Sequence, residues 1–104
     1  MNSESAGGVR LQAEPETDWT ADQRQALQAY ARDNKLWLEL DVTDDRRTAF
    51  AGFSMGENNY PSYTVLWTGR RYLLTDRLGY TVCQASTLPA ALDVLSVQLQ
   101  VEHV

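Results

Sequence analysis

The chain of 104 residues has a single cysteine, Cys83, so no internal disulfide can staple it and the fold must rest on its core. Histidine also occurs once, at His103. One of each leaves too few nitrogen and sulfur ligands for a structural zinc site, which takes four, and no metal or cofactor is expected. No apolar run approaches the roughly 18–20 residues needed to cross a bilayer, which excludes a membrane-spanning helix. The start, Met1-Asn2-Ser3-Glu4-Ser5, lacks the basic end and apolar stretch of a secretory signal, so a cytoplasmic location is expected. Isoleucine is absent, and lysine occurs once, at Lys35, against eight arginines. Both depletions fit a G+C-rich coding sequence, hence a G+C-rich bacterium or a virus infecting one; in the viral case the location is the host cytoplasm.

What is present is ordinary for one globular domain: 43% hydrophobic and 22% charged residues in a length with no room for a second core. The net charge of −5 argues against a nucleic-acid binder, which needs a basic face. The charge is uneven. Glu4, Glu14, Glu16 and Asp18 crowd the start against Arg10 alone. Residues 36–62 are acidic, through Glu39, Asp41, Asp44, Asp45 and Glu57 against Arg46 and Arg47. Residues 63–80 are basic, through Arg70, Arg71 and Arg77 against Asp76.

Residues 1–17 mix Ser, Gly-Gly and Glu without a period and read as a disordered leader, which leaves 18–104 as one domain. Thr20 with Gln23 forms a capping box, and a modest stripe through Leu27, Tyr30 and Ala31 predicts a helix to about Asp33. Asn34 is its expected left-handed stop. Leu36 to Val42 alternates strictly, with Leu36, Leu38, Leu40 and Val42 on one side and Trp37, Glu39 and Asp41 on the other, as a half-buried strand does. Thr48 to Met55 predicts a second, weaker strand because Gly52 interrupts it, and residues 56–61 predict a turn. Tyr63–Thr68 and Arg71–Thr75 flank Gly69-Arg70, a two-residue loop suited to a type II′ hairpin. That register pairs Trp67 with Tyr72 and Val65 with Leu74 on one face, and Leu66 with Leu73 on the other. Tyr80 to Ala85 predicts a last strand. Ser86 or Thr87 then caps a final helix whose Leu88, Leu92, Leu95 and Leu99 form one stripe, widened by Val94, Val97 and Val101. The expected fold is α+β: an N-terminal helix, an antiparallel meander of four or five strands, and a C-terminal helix packed on the sheet. The extra valines suit a homodimer contact.

Gly52-Phe53-Ser54-Met55-Gly56 is a G-x-S-x-G match and resembles the nucleophile elbow of α/β-hydrolases, which implies Ser54 as nucleophile with Asp76 or Asp93 and His103 following in that family's order. The resemblance covers five residues. An elbow also needs a helix from the serine onward, and Glu57-Asn58-Asn59-Tyr60-Pro61 does not continue one. Cys83 with His103 as a thiolate pair would require a base held in place at a chain end. Asp41, Asp44, Asp45 and Glu39 lack the EF-hand spacing and read as solvated hairpin charges. The helix–strands–helix order is similar to that of double-stranded-RNA-binding domains, but Leu88-Pro89-Ala90-Ala91 stand where that family sets a basic cluster. No catalytic constellation is expected.

One pattern points outward. With the aromatic side of the Gly69 hairpin turned inward, Leu66 and Leu73 face out beside Arg71, and Trp37 faces out beside Glu39 and Asp41. Apolar residues ringed by charge have the composition of an interface core with a polar rim. Trp37, Leu66, Arg70, Arg71 and Leu73 are therefore the candidate partner-binding residues. The expected function is a non-enzymatic protein-binding module, with its most concrete form an inhibitor from a phage or mobile element that occludes a host defence complex, as anti-CRISPR proteins do. A partner from a bacterial defence or nucleic-acid-processing complex follows from that reading. The alternatives are a nucleic-acid-binding domain and a small serine hydrolase using Ser54. Whether the first helix covers the Leu66 face is left open by the sequence, and that decides whether the surface is free.

Overall fold

A computed structural model describes residues 17–55 and 62–102 of the chain. The elements are α1 (Ala21–Asp33), β1 (Trp37–Val42), β2 (Ala49–Ser54), β3 (Tyr63–Trp67), β4 (Tyr72–Asp76), β5 (Thr81–Ala85) and α2 (Leu88–Glu102). The strands form one antiparallel sheet in the order β1-β2-β3-β4-β5, so the fold is the α+β meander expected, with five strands. Residues 1–16 of the leader and the turn at 56–61 lie outside the described residues, while Thr17, read as the end of the leader, is tied to the β1–β2 turn by its N–H donating to Arg46 O at 2.9 Å.

The capping box forms as the spacing predicts: the Thr20 hydroxyl accepts from the Gln23 N–H at 3.1 Å, and the Gln23 side chain accepts from the Thr20 N–H at 2.7 Å. The helix stop differs from expectation. Asn34 has φ −105°, and the left-handed residue is Lys35 at φ 56°. Lys35 N–H donates to Arg32 O and Leu36 N–H to Ala31 O, which is a Schellman ending moved one residue along. Asn34 stays outside the left-handed region because its backbone and side-chain amides both donate to Tyr30 O.

The hairpin register is the expected one, Trp67↔Tyr72 and Val65↔Leu74, closed by Thr68 and Arg71 around Gly69 at φ +90°. The Trp67 and Tyr72 rings stack at 4.4 Å between centroids. β2 corrects the reading that Gly52 weakens it. It is a central strand, paired to β1 and β3 along its length, with five of its six residues buried. Neighbours on both sides fix the backbone that a glycine alone would leave loose.

The strand registers sort the sheet into two faces. On one, Val42, Ala49, Trp67, Tyr72 and Ala85 form a transverse row, followed by Leu40, Ala51, Val65, Leu74 and Cys83, then Leu38, Phe53 and Tyr63. The buried core comes from these rows together with Leu27 and Ala31 of α1 and the Leu88, Leu92, Leu95 and Leu99 stripe of α2. Both helices lie on this face. Tyr30 of α1 meets the Phe53 ring edge-on at 5.6 Å, and its hydroxyl is 2.7 Å from the Ser96 hydroxyl of α2. Gln23 donates to the Tyr72 hydroxyl at 2.7 Å. The α2 stripe is as expected, but only Val94 widens it. Val97 and Val101 are 55% and 66% exposed, because they lie around the helix from the leucines.

Burial raises the Tyr30 phenol above its ordinary value, with the Ser96 hydrogen bond pulling the other way and Asp93 adding to the rise. Since the folded value lies above the unfolded one, this tyrosine contributes stability while neutral and loses it as pH rises through and above 10. The melting temperature of the native chain is expected to fall more steeply above pH 10 than that of Tyr30→Phe. Parallel profiles would remove this linkage.

Candidate functional site

The second face of the sheet carries neither helix. Its central transverse row is Asp41, Phe50, Leu66, Leu73 and Gln84, one residue from each strand in direct register. The next row is Glu39, Gly52, Thr64, Thr75 and Thr81, the last pair shifted by a bulge between Leu74 and Thr75. Side chains alternate along a strand, so this face follows directly from the inward placement of Ala49, Ala51, Phe53, Val65 and Leu74. The result is an apolar strip on the three inner strands with polar or charged residues at each end.

Of the residues read from the sequence, Leu66 and Leu73 are direct neighbours in the strip and half-buried. Trp37 lies on the same face, at the start of the edge strand β1 opposite Ser54, and is 61% exposed. Arg71 precedes β4, and its guanidinium donates to the Gln84 side chain at 2.9 Å, which holds the charge over the β5 end of the strip. Arg70 stands apart at the hairpin tip, exposed, with its backbone N–H on the Thr68 hydroxyl. The structure thus places Leu66, Leu73 and Arg71 together, Trp37 at a corner and Arg70 beyond the edge. Phe50 is a member that sequence reasoning missed. The signal was available: three small or aromatic inward residues at 49, 51 and 53 leave position 50 facing out.

The acidic end of the strip is ordered by local bonds. Asp41 accepts from the Val42 N–H at 2.8 Å, so its carboxylate occupies a backbone donor on the free edge of β1. At the β1–β2 turn Asp45 is held below the ordinary carboxylate range by the Thr43 hydroxyl and then by the Arg47 N–H. These are turn-forming roles. Among the described residues no group of three or more His, Cys, Asp or Glu is placed to hold a metal ion.

Gly52 and Phe53 run inside β2, and Ser54 ends it, 9% exposed and in register with Trp37. The next helix among the described residues begins at Leu88. Cys83 is half-buried on the helix-covered face, and His103 lies outside the described residues. Trp67 and Tyr72, the aromatics beside the basic hairpin tip, are stacked on each other on the core side. A cleft of about 530 Å³ opens between the end of α1 and α2, near Lys35, Leu36, Ser96 and Gln100, with Lys35 the one charged residue among the described residues that line it. No helix among the described residues is long and apolar enough to cross a membrane. The chain matches no protein-family model, no curated protein and no solved structure.

Proposed function

We propose that the chain is a protein-binding module that docks through the uncovered face of its sheet and acts by occluding the surface it covers. One observation carries this reading: α1 and α2 share a face, so among the described residues no element lies over the Phe50-Leu66-Leu73 strip, between Asp41 and the Arg71–Gln84 pair. Half-buried apolar side chains rimmed by charge gain most when a partner removes them from water, while the rim sets register. A preformed sheet costs little ordering on association. The size, the net acidity and the G+C-rich residue usage support a phage or mobile-element inhibitor of a host defence complex as the concrete form.

The test is capture of the partner by tagged full-length chain from nuclease-treated lysate of a G+C-rich bacterium, read by mass spectrometry. The native chain is expected to retain a stoichiometric protein. Leu66→Glu should abolish retention, and Trp37→Ala or Arg71→Glu should weaken it about tenfold or more, with melting temperatures close to native. Retention that ignores all three substitutions would place the contact elsewhere on the molecule.

A further inference from the structure

We infer that this same sheet face, resting on its reading as a docking surface, is occupied in the free protein by a second copy of the chain, face to face about a two-fold axis along β3. The strip is laid out for self-pairing. Its three apolar members stand on β2, β3 and β4, and Leu66 on the central strand is the midpoint of the five-residue row. Rotation about an axis along β3, in the plane between two such faces, exchanges β1 with β5 and β2 with β4. Leu66 then meets Leu66 of the second copy, and Phe50 meets its Leu73. The strands stay nearly aligned, as in packed sheets about 10 Å apart.

Charge makes the choice of occupant specific. The row ends in Asp41 on β1 and Gln84 on β5, and the Arg71 guanidinium is bonded to Gln84. The two-fold operation lays Asp41 of one copy over that guanidinium of the other, and does so twice, because the interface is isologous. The opposite arrangement, with β1 on β1, would bring the acidic β1 segments carrying Glu39 and Asp41 together and is repelled. Five strands about 4.8 Å apart and five residues of about 3.3 Å rise give a face of about 24 by 17 Å, at the small end for protein interfaces. The dimer is therefore weak and concentration-dependent, which lets a tighter-binding foreign partner displace it.

Sedimentation equilibrium of the full chain reads this directly. The mass is expected to rise from 11.7 kDa toward twice that value as concentration increases. Asp41→Arg and Arg71→Glu should each raise the dissociation constant at least about tenfold, and the two substitutions together should restore it, since the ion pairs are then exchanged rather than lost. Both positions are exposed, so the fold tolerates the changes. A single 11.7 kDa species up to about 1 mM overturns the inference. So does a dimer indifferent to Asp41, Arg71 and Leu66 substitutions, or one lost on Val97→Glu, which would put the contact on α2. A monomer whose partner capture still depends on Leu66 overturns the dimer and leaves the docking reading standing. A charge-swappable dimer that captures nothing supports the dimer while the foreign-partner reading fails alone.

Discussion

Phe53→Ala is expected to cost about 3–5 kcal/mol, a large share of the roughly 5–15 kcal/mol that stabilises a domain this size. Phe53 is 1% exposed at the centre of the helix-covered face, and Tyr30 stands edge-on against its ring. The substitution opens a cavity under both helices, because Tyr30 is also the link from α1 to Ser96 of α2. The aromatic contact adds to the loss by removing a partner from Tyr30. The melting temperature should drop by more than about 10 °C. The informative comparison is Leu66→Ala, three positions beyond Tyr63, the β3 partner of Phe53, and so on the other face, which should cost about 1 kcal/mol or less. Equal losses at the two positions would mean that both faces are packed, and would remove the free surface on which the docking reading stands.

Those two outcomes differ because of a feature that the sequence carries only in part. Strict alternation from Leu36 to Val42, and the Gly69 hairpin, state which residues share a face, since the strand period is two and one shift would reverse every side chain. The α2 stripe at Leu88, Leu92, Leu95 and Leu99 was legible for the same kind of reason at helical period. What alternation does not state is which face receives α1. Its buried residues are Leu27 and Ala31, too few to specify a site, and the contacts that place it are long-range: Tyr30 with Ser96, Gln23 with Tyr72. The strength of β2 was hidden likewise. Gly52 lowers local preference, while pairing on both sides overrides it. Phe50 was missed although alternation with Ala49, Ala51 and Phe53 places it on the outer face, because its neighbours in the strand are apolar as well. Lys35 in the left-handed position is a third case. Residue preference favours Asn34, but two Asn34 amides already committed to Tyr30 O pass the turn to the next residue.

Trp19 shows how far an unperiodic segment can hide a core residue, and Trp19→Ala is expected to cost about 3–5 kcal/mol as well. Trp19 precedes the helix cap and sits at the margin of the acidic start, where no apolar spacing marks it. In the fold it is 4% exposed, and its indole N–H donates to the Phe50 carbonyl at 3.1 Å. Its own carbonyl accepts from the Arg24 side chain, which also pairs with Asp18 at 3.1 Å. The residue therefore fastens the entry of α1 to the backbone of the strand that bears Phe50. Removing the ring forfeits its burial and takes one acceptor's partner away. Trp19→Phe keeps most of the burial and loses the hydrogen bond, so a smaller loss of about 1–2 kcal/mol should separate the two contributions. Urea midpoints of the three chains measure this at constant slope. Because Trp19 acts on the helix side of β2, the folded fraction of Trp19→Ala should still self-associate and bind with native strength, whereas Leu66→Glu should do neither while melting close to the native chain. If Trp19→Ala weakens association in the folded fraction too, the orientation of Phe50 depends on the α1 entry, and the two faces of the sheet are coupled through that carbonyl.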